Sequence, residues 1–466
     1  MDRAPTVLDY YSDVPTFALA FSPLGTSTSS LKLAVGSYNE SRGADANSLT
    51  IAAIDTAVLE LEDDDTNVGP GGDDSDAQNA ESSYAKTADG QRIRIGSAFT
   101  NVARASHPYP PSAVRFSPPK LSATIQAAAA GTTGEVTREM VATSSDCLRL
   151  WDLVQDDSGP SAASKAKFIG QTDVSTGHRL LQRAALANSK AEFSAPLTSF
   201  SWSALEPTHI VTSSIDTTCT VWDISNGTPV TQLIAHDREV YDVAWSPASK
   251  DIFASVGADG SVRMFDLRSL EHSTILYEAT APAPASNGAT TGGTSTKDNG
   301  VTPTSPNPSN KSGAPASPPS PLLRLAFSPH APSYVSVCHA DSSDVQILDI
   351  RSPGVPVLEL KSHQGAVNGM AWGGSTMAGG SGESGGPGCL ATCSDDCTLL
   401  LWDLSSNIAT PQQSSSGSRT QPAQPKTISA PVMAYSAPSE VNAVAWASGG
   451  DWVAAGCGKV VRCLRI

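Results

Sequence analysis

Apolar and polar residues alternate in short runs along most of the chain, and the runs recur in a fixed order. LRLWDL (148–153), CTVWDI (219–224) and LLLWDL (399–404) have the period of a half-buried strand. VRMFDLR (262–268) and VQILDIR (345–351) keep that alternation with Phe265 and Leu348 in the Trp position. Upstream of each lies a second predicted strand that ends in small residues and Asp: MVATSSD, HIVTSSID, IFASVGAD, YVSVCHAD and CLATCSDD. Upstream again is a strand ending in an aromatic residue: AVRFSP, SFSWSA, YDVAWSP, RLAFSP, NGMAWGG and NAVAWAS. Seven of the eight tryptophans occupy two positions of this one unit, so the chain is built from a repeat.

A histidine completes the unit in three places. His107, His236 and His363 each precede the strand-ending aromatic (Phe116, Trp245, Trp372) by nine residues. The combination resembles the WD40 repeat. In that family a His, a Ser or Thr, a turn Asp and a Trp form a hydrogen-bonded network. The resemblance implies networks of His236, Ser255 and Asp259 with Phe265 in the Trp place, and of His363, Thr392, Asp396 and Trp402. A third, His107, Thr143, Asp146 and Trp151, has its Asp one residue out of step. Phe265 has no N–H, so the His236 network is expected to lack one bond. Such networks keep buried polar groups paired. A catalytic Ser-His-Asp set is the other reading of these residue types, and their recurrence at repeat spacing argues against it.

The strand signals fall into seven groups, at about 16–55, 112–172, 197–234, 240–278, 321–361, 367–437 and 441–466. The expected fold is all-β: one seven-bladed WD40 β-propeller spanning 1–466. The last group has only three strands, and an open ring would expose a sheet edge. The N-terminal TVLDYYS (6–12) is expected to close the ring by pairing with 460–466. Five low-complexity insertions, about 61–92, 119–138, 279–320, 374–388 and 406–429, have too few large apolar residues to order themselves. They account for the uneven spacing of the repeats.

The resemblance sharpens in SAPLTSFSW, TSSIDTTCTVWDI, TQLIAHDREVYDVAWS, the stretch 252–278, PLLRLAFSP and the C-terminal PVMAYSAPSEVNAVAWAS. These are similar to the Transparent Testa Glabra and anthocyanin-regulator subfamily, whose animal counterpart is a cullin-associated factor that binds dual-specificity kinases. The resemblance implies a non-catalytic scaffold in nucleus and cytoplasm, with kinases of dual-specificity or other proline-directed type and transcription factors as partners. The alternative it implies is a substrate receptor of a cullin-type RING ubiquitin ligase, reached through a Trp-Asp-x-Arg motif. FDLR and LDIR keep the acid and the arginine (Asp266, Arg268, Asp349, Arg351) but lack the Trp. A turn held by its own Asp–Arg pair is the competing reading.

Composition narrows the rest. Thirty basic against 46 acidic residues give a net charge of −16, and no basic patch offsets it, so no direct nucleic-acid contact is expected. No apolar run approaches the ~18 residues that span a bilayer, and residues 1–17 lack a signal-peptide core. A soluble, intracellular, monomeric propeller is expected. The eight cysteines read as reduced core thiols; Cys389, Cys393 and Cys397 have no partner motif for a metal. Gly382-Glu383-Ser384-Gly385-Gly386 matches a nucleophile-elbow pattern but lies in a Gly/Ser stretch rather than between strand and helix. No enzyme activity, cofactor or metal is expected.

Binding is assigned to the end of the ring where the inner strands begin. Four residues before each terminal aromatic stand Phe17, Ser112, Thr198, Tyr241, Leu323, Asn368 and Asn442, joined by Arg238, Glu239 and Glu440. Tyr241 is the best anchor, having apolar area and a polar tip. Thr302, Ser305, Ser317 and Ser320, each followed by Pro, are candidate phosphosites for a proline-directed kinase.

Overall fold

Strand order follows the repeat, because each apolar stretch ending in an aromatic residue starts an antiparallel meander. The computed structural model describes residues 7–24, 30–40, 46–55, 84–86, 92–94, 99–119, 121, 139–155, 178–187, 194–279, 319–374, 387–405 and 424–466. In them, seven sheets form the blades of a β-propeller. Blade 3 is the plainest, with Leu197–Trp202, His209–Ser214, Thr218–Asp223 and Thr228–Ile234 paired in that order. The first three strands are mostly buried and the outer strand is not. His209–Ser214 is buried at five of six positions, whereas no residue of Thr228–Ile234 is buried.

The inner strands of the other blades are Thr16–Phe21, Ala113–Phe116, Val240–Trp245, Leu322–Phe327, Val367–Trp372 and Ala443–Trp446. Each touches the next in chain order, and the last touches the first, which closes the ring. The apolar core is correspondingly divided, with one cluster per seam. Val211, Val221, Val243, Trp245, Phe253 and Phe265 fill the seam between blades 3 and 4. Leu8, Leu19, Leu33, Trp452, Ala454 and Val461 fill the one between blades 7 and 1. Each sheet therefore packs against a neighbour on both faces, and its second strand is buried on both sides, as in Cys389–Ser394 and Trp452–Cys457, where all six residues are buried.

Val7–Tyr11 pairs antiparallel with Val460–Arg465, in the register Val7 to Leu464 through Tyr11 to Val460. The N-terminus supplies the outer strand of blade 7 as expected. A salt bridge fastens the closure. Arg462 Nε and Nη2 donate to the two oxygens of Asp9 at 2.5 and 2.6 Å. The guanidinium lies 5.5 Å from the centre of the Tyr435 ring and also donates to its hydroxyl. One side chain thus ties the first strand, the last strand and blade 6.

Three boundaries differ from the sequence reading. The outer strand of blade 1 is Phe99–His107, beyond the acidic insertion. That of blade 2 is His178–Leu186, beyond residue 172. Outer strands pack on one side only, so their alternation is weak: His178–Leu186 buries two of nine residues. Lys426–Ile428, inside the expected 406–429 insertion, is a strand that pairs in parallel with Leu358–Lys361 and gives blade 5 a fifth strand. A short hairpin, Tyr84–Lys86 with Arg92–Arg94, falls at the end of the 61–92 insertion. Most of the five insertions lies outside the described residues.

Breaking the latch tests closure. Asp9→Ala leaves the partly buried Arg462 without its carboxylate and is expected to lower unfolding free energy by about 1–3 kcal/mol. Denaturant titration measures this; an unchanged midpoint would show that closure does not depend on the pair.

Candidate partner-binding face and the networks beneath it

His236 and His363 sit in the connections between blades and His107 ends the outer strand of blade 1; each reaches into the next blade. His363 Nδ1 donates to Asp396 Oδ2 at 3.0 Å, Thr392 Oγ1 lies 2.8 Å from His363 Nε2, and Trp402 Nε1 donates to Thr392 Oγ1 at 3.0 Å. One chain of bonds runs from Trp to carboxylate as expected. Burial alone would raise the Asp396 pKa, but hydrogen bonds from Thr398, the Gln364 N–H and His363 outweigh it and hold it at about 2. The same bonding from His236 (2.9 Å) and Ser261 holds the Asp259 carboxyl well below its usual range despite burial.

In blade 4, Ser255 Oγ lies 2.7 Å from His236 Nε2, and Phe265 stacks on Phe253 at 5.1 Å. Cys219 of blade 3 packs in the same seam as Phe265, and burial raises its thiol pKa to about 12. Gly257 is required here, because a Cβ would lie 2.9 Å from the His236 ring and from the Glu239 carbonyl.

Asp146 departs from the expected network. His107 Nε2 lies 3.0 Å from Thr143 Oγ1, to which Trp151 Nε1 also donates at 3.0 Å, but His107 Nδ1 donates to the Tyr109 carbonyl. Asp146 instead binds Arg149 at 2.6 and 3.0 Å. The one-residue-shorter turn before Trp151 carries the carboxylate out of reach, and an arginine three residues on takes it.

Above these networks, the strand-start positions sort into two sets. Ser112 Oγ donates to the Leu197 carbonyl (3.0 Å), Thr198 Oγ1 to that of Val240 (2.7 Å) and Asn368 Nδ2 to that of Val441 (3.2 Å). In each case the acceptor immediately precedes the equivalent position of the next blade, so these side chains staple seams. Asn368 also donates to Asp395 at 2.6 Å. Tyr241 and Asn442 are half-buried and have no side-chain hydrogen bond among the described residues, and Arg238, Glu239 and Glu440 are exposed. The staples bring both sets to one end of the ring. Sequence reasoning missed the stapling role, although small hydroxyl and amide residues recurring at one repeat position were its signal.

The Asp-x-Arg residues lie on turns that leave the third strands of blades 4 and 5. Arg268 Nη2 donates to Asp266 Oδ2 at 2.6 Å, and Arg351 Nη2 to Asp349 Oδ2 at 2.7 Å. Arg351 also donates to the Tyr334 hydroxyl at 3.0 Å and lies 5.4 Å from the centre of that ring. Both arginines remain exposed, at 67 and 59% of their side chains. Of the candidate phosphosites, Ser320 is exposed at the edge of blade 5; Thr302, Ser305 and Ser317 lie outside the described residues. Cys389 and Cys393 are buried on one strand of blade 6, and Cys397 sits in a left-handed turn with φ 63°.

Closed blades with His-Ser/Thr-Asp-Trp networks define a WD40 β-propeller. The WD domain, G-beta repeat family pattern matches residues 227–266, 354–403 and 429–463. The DDB1- and CUL4-associated factor 7 homolog of Dictyostelium discoideum is 35% identical over 369 residues, covering 79% of this chain and 83% of that protein. An uncharacterized WD repeat-containing protein of Schizosaccharomyces pombe is 37% identical, covering 64% of this chain and 68% of that protein. A WD repeat-containing protein of Saccharomyces cerevisiae is 37% identical over 58% of this chain and 45% of its own length. The chain belongs to the WD40-repeat family and is related to the DDB1- and CUL4-associated factor 7 homolog.

The networks predict a pH dependence. Burial lowers the His107 pKa from 6.5 to about 4, partly offset by its bond to Tyr109. The unfolded chain therefore binds a proton that the native state refuses between those values. This contribution is whole above pH 6.5 and lost as pH falls toward 4, by on the order of 3 kcal/mol. His107→Asn is expected to lower stability at pH 7 yet decline less steeply below pH 6.5 in denaturant titrations. Parallel pH profiles for the two proteins would contradict it.

Proposed function

We propose that this propeller is a non-catalytic scaffold that assembles protein complexes, holding clients on the end of the ring where the inner strands begin. The observation that carries this reading is the division of labour among equivalent positions. Ser112, Thr198 and Asn368 spend their polar groups on the seams, whereas Tyr241 and Asn442 keep theirs free beside exposed Arg238, Glu239 and Glu440. A half-buried tyrosine with an unengaged hydroxyl provides apolar contact at small entropic cost and one directional bond. Kinases of dual-specificity or proline-directed type and transcription factors are the proposed clients, in nucleus and cytoplasm.

A second reading, a substrate receptor of a cullin-type RING ligase, is favoured by relatedness to a protein named as DDB1- and CUL4-associated and by the adjacent exposed Asp266–Arg268 and Asp349–Arg351 turns. On this reading a ligase adaptor binds the arginine turns while the client binds around Tyr241.

Quantitative affinity purification of the wild type, Tyr241→Ala and the Arg268→Ala, Arg351→Ala double variant separates the two. The scaffold reading expects at least a tenfold loss of a kinase or transcription factor with Tyr241→Ala alone. The ligase reading expects a cullin adaptor that only the double variant loses. An unchanged partner list in both variants would reject both assignments.

A further inference from the structure

Blade 5 carries one strand more than its meander needs. Its own strands run from Leu322–Phe327 to Leu358–Lys361, and Lys426–Ile428 is added in parallel, in the register Leu358 to Lys426, Glu359 to Thr427 and Leu360 to Ile428. The added strand belongs to the connection between the third and outer strands of blade 6, which runs from Leu404 to Val432. Blade 3 makes the same connection with Ile224 to Gly227. Blade 6 is a complete meander without the added strand. Neither blade requires this segment to close its sheet, so its effect is to cover an edge.

The covered edge is suited to a further strand. The outer strands of blades 1 to 4 each carry a register shift against their third strand, and such bulges deter further pairing. Leu358–Lys361 pairs regularly with its third strand. Leu358 and Leu360 are buried on one face, where Ile428 packs on their cluster. Glu359 and Lys361 stand on the other face, bonded to each other at 2.8 Å, and Asp344 lies 3.6 Å from the same lysine. The cover is slight: Lys426 and Thr427 are exposed and Ile428 is half-buried.

The edge is also complementary to itself. Two copies laid antiparallel about a two-fold axis through Leu360 place Glu359 of each opposite Lys361 of the other, and Leu360 against Leu360 on the apolar face. Opposite charges across an antiparallel pair stabilise it, and antiparallel pairing is the stronger kind per residue.

We infer that the outer edge of blade 5 is a pairing surface for a second copy of this chain, and that Lys426–Ile428 is a cap in cis that keeps it closed. With the cap in place the propeller is single. With the cap off, the blade 5 sheets of two copies join into one continuous sheet.

Sedimentation velocity on the full chain tests this. The wild type is expected to sediment as a single chain across the micromolar range. Lys426→Pro with Ile428→Pro removes two N–H groups, among them the one that Lys426 donates to the Val357 carbonyl at 3.1 Å, and is expected to form a dimer as concentration rises. In that background Glu359→Lys sets like charges opposite each other and should weaken the dimer about tenfold. Adding Lys361→Glu restores opposite pairs and should recover it. If circular dichroism shows the proline variant unfolded, Ile428→Asp, which sets a charge against the apolar cluster, takes its place. A folded variant that stays single, a dimer indifferent to Glu359→Lys, or a wild type that dimerises as the variant does would overturn the inference.

Discussion

A sheet that begins at a channel has one strand edge with no partner strand. Each inner strand pairs outward with its own blade, so the backbone groups on its inner edge need partners from elsewhere. The neighbouring blade provides them. Ser112, Thr198 and Asn368 donate to carbonyls at or just before the start of the next inner strand, and Ser201 and Asp242 accept N–H groups of Trp245 and Leu325 in the next inner strand. The core obeys the same logic, since its apolar clusters lie in the seams rather than within blades. A blade is thus incomplete alone, and the N-terminal strand must return to blade 7.

That constraint decides which side chains remain for binding. A position that staples a seam cannot be spent on a client without opening the ring. The seven strand-start residues look equivalent in sequence, but Thr198 and Asn368 are committed and Tyr241 is not. The histidines form a second tier. His236 and His363 extend from the connection before a blade to a Ser or Thr and an Asp within it, fixing the loops that carry Arg238, Glu239 and Gln364. Rigid loops present their side chains at little entropic cost on binding.

The fold was legible because its determinants recur. Aromatic strand ends, Asp turns and Trp-Asp pairs belong to the first three strands of each blade, where packing on both faces dictates residue type. Outer strands escaped because their residues are half-solvated, as in His178–Leu186. Lys426–Ile428 escaped because three residues on a parallel edge carry no period. The site was less legible for a different reason. Asp146 has the right identity near the right place, but one missing residue before Trp151 redirects it to Arg149. Phe265 signals an absent bond, and its ring instead stacks on Phe253 at 5.1 Å, a pairing that the Trp position alone does not announce.

The two ends of the ring differ in how they meet a partner. Around Tyr241 the side chains of Tyr241, Asn442, Arg238, Glu239 and Glu440 have no hydrogen bond among the described residues, so contact there adds bonds without breaking any of those described. At the opposite turns each arginine already holds its aspartate, at 2.6 and 2.7 Å, and Arg351 is further fixed by Tyr334. Exposed pairs of this kind contribute little to stability, but their internal bonds fix the direction of the remaining guanidinium N–H groups. A carboxylate that seized the whole fork would have to displace Asp266 or Asp349. A partner that used the outward N–H groups would take each Asp–Arg pair as one preformed unit, at less cost. The turns thus offer N–H groups suited to carbonyl oxygens rather than to a competing charge, and the Tyr241 end offers an apolar ring with a polar rim, so the two ends of the one ring differ in chemistry.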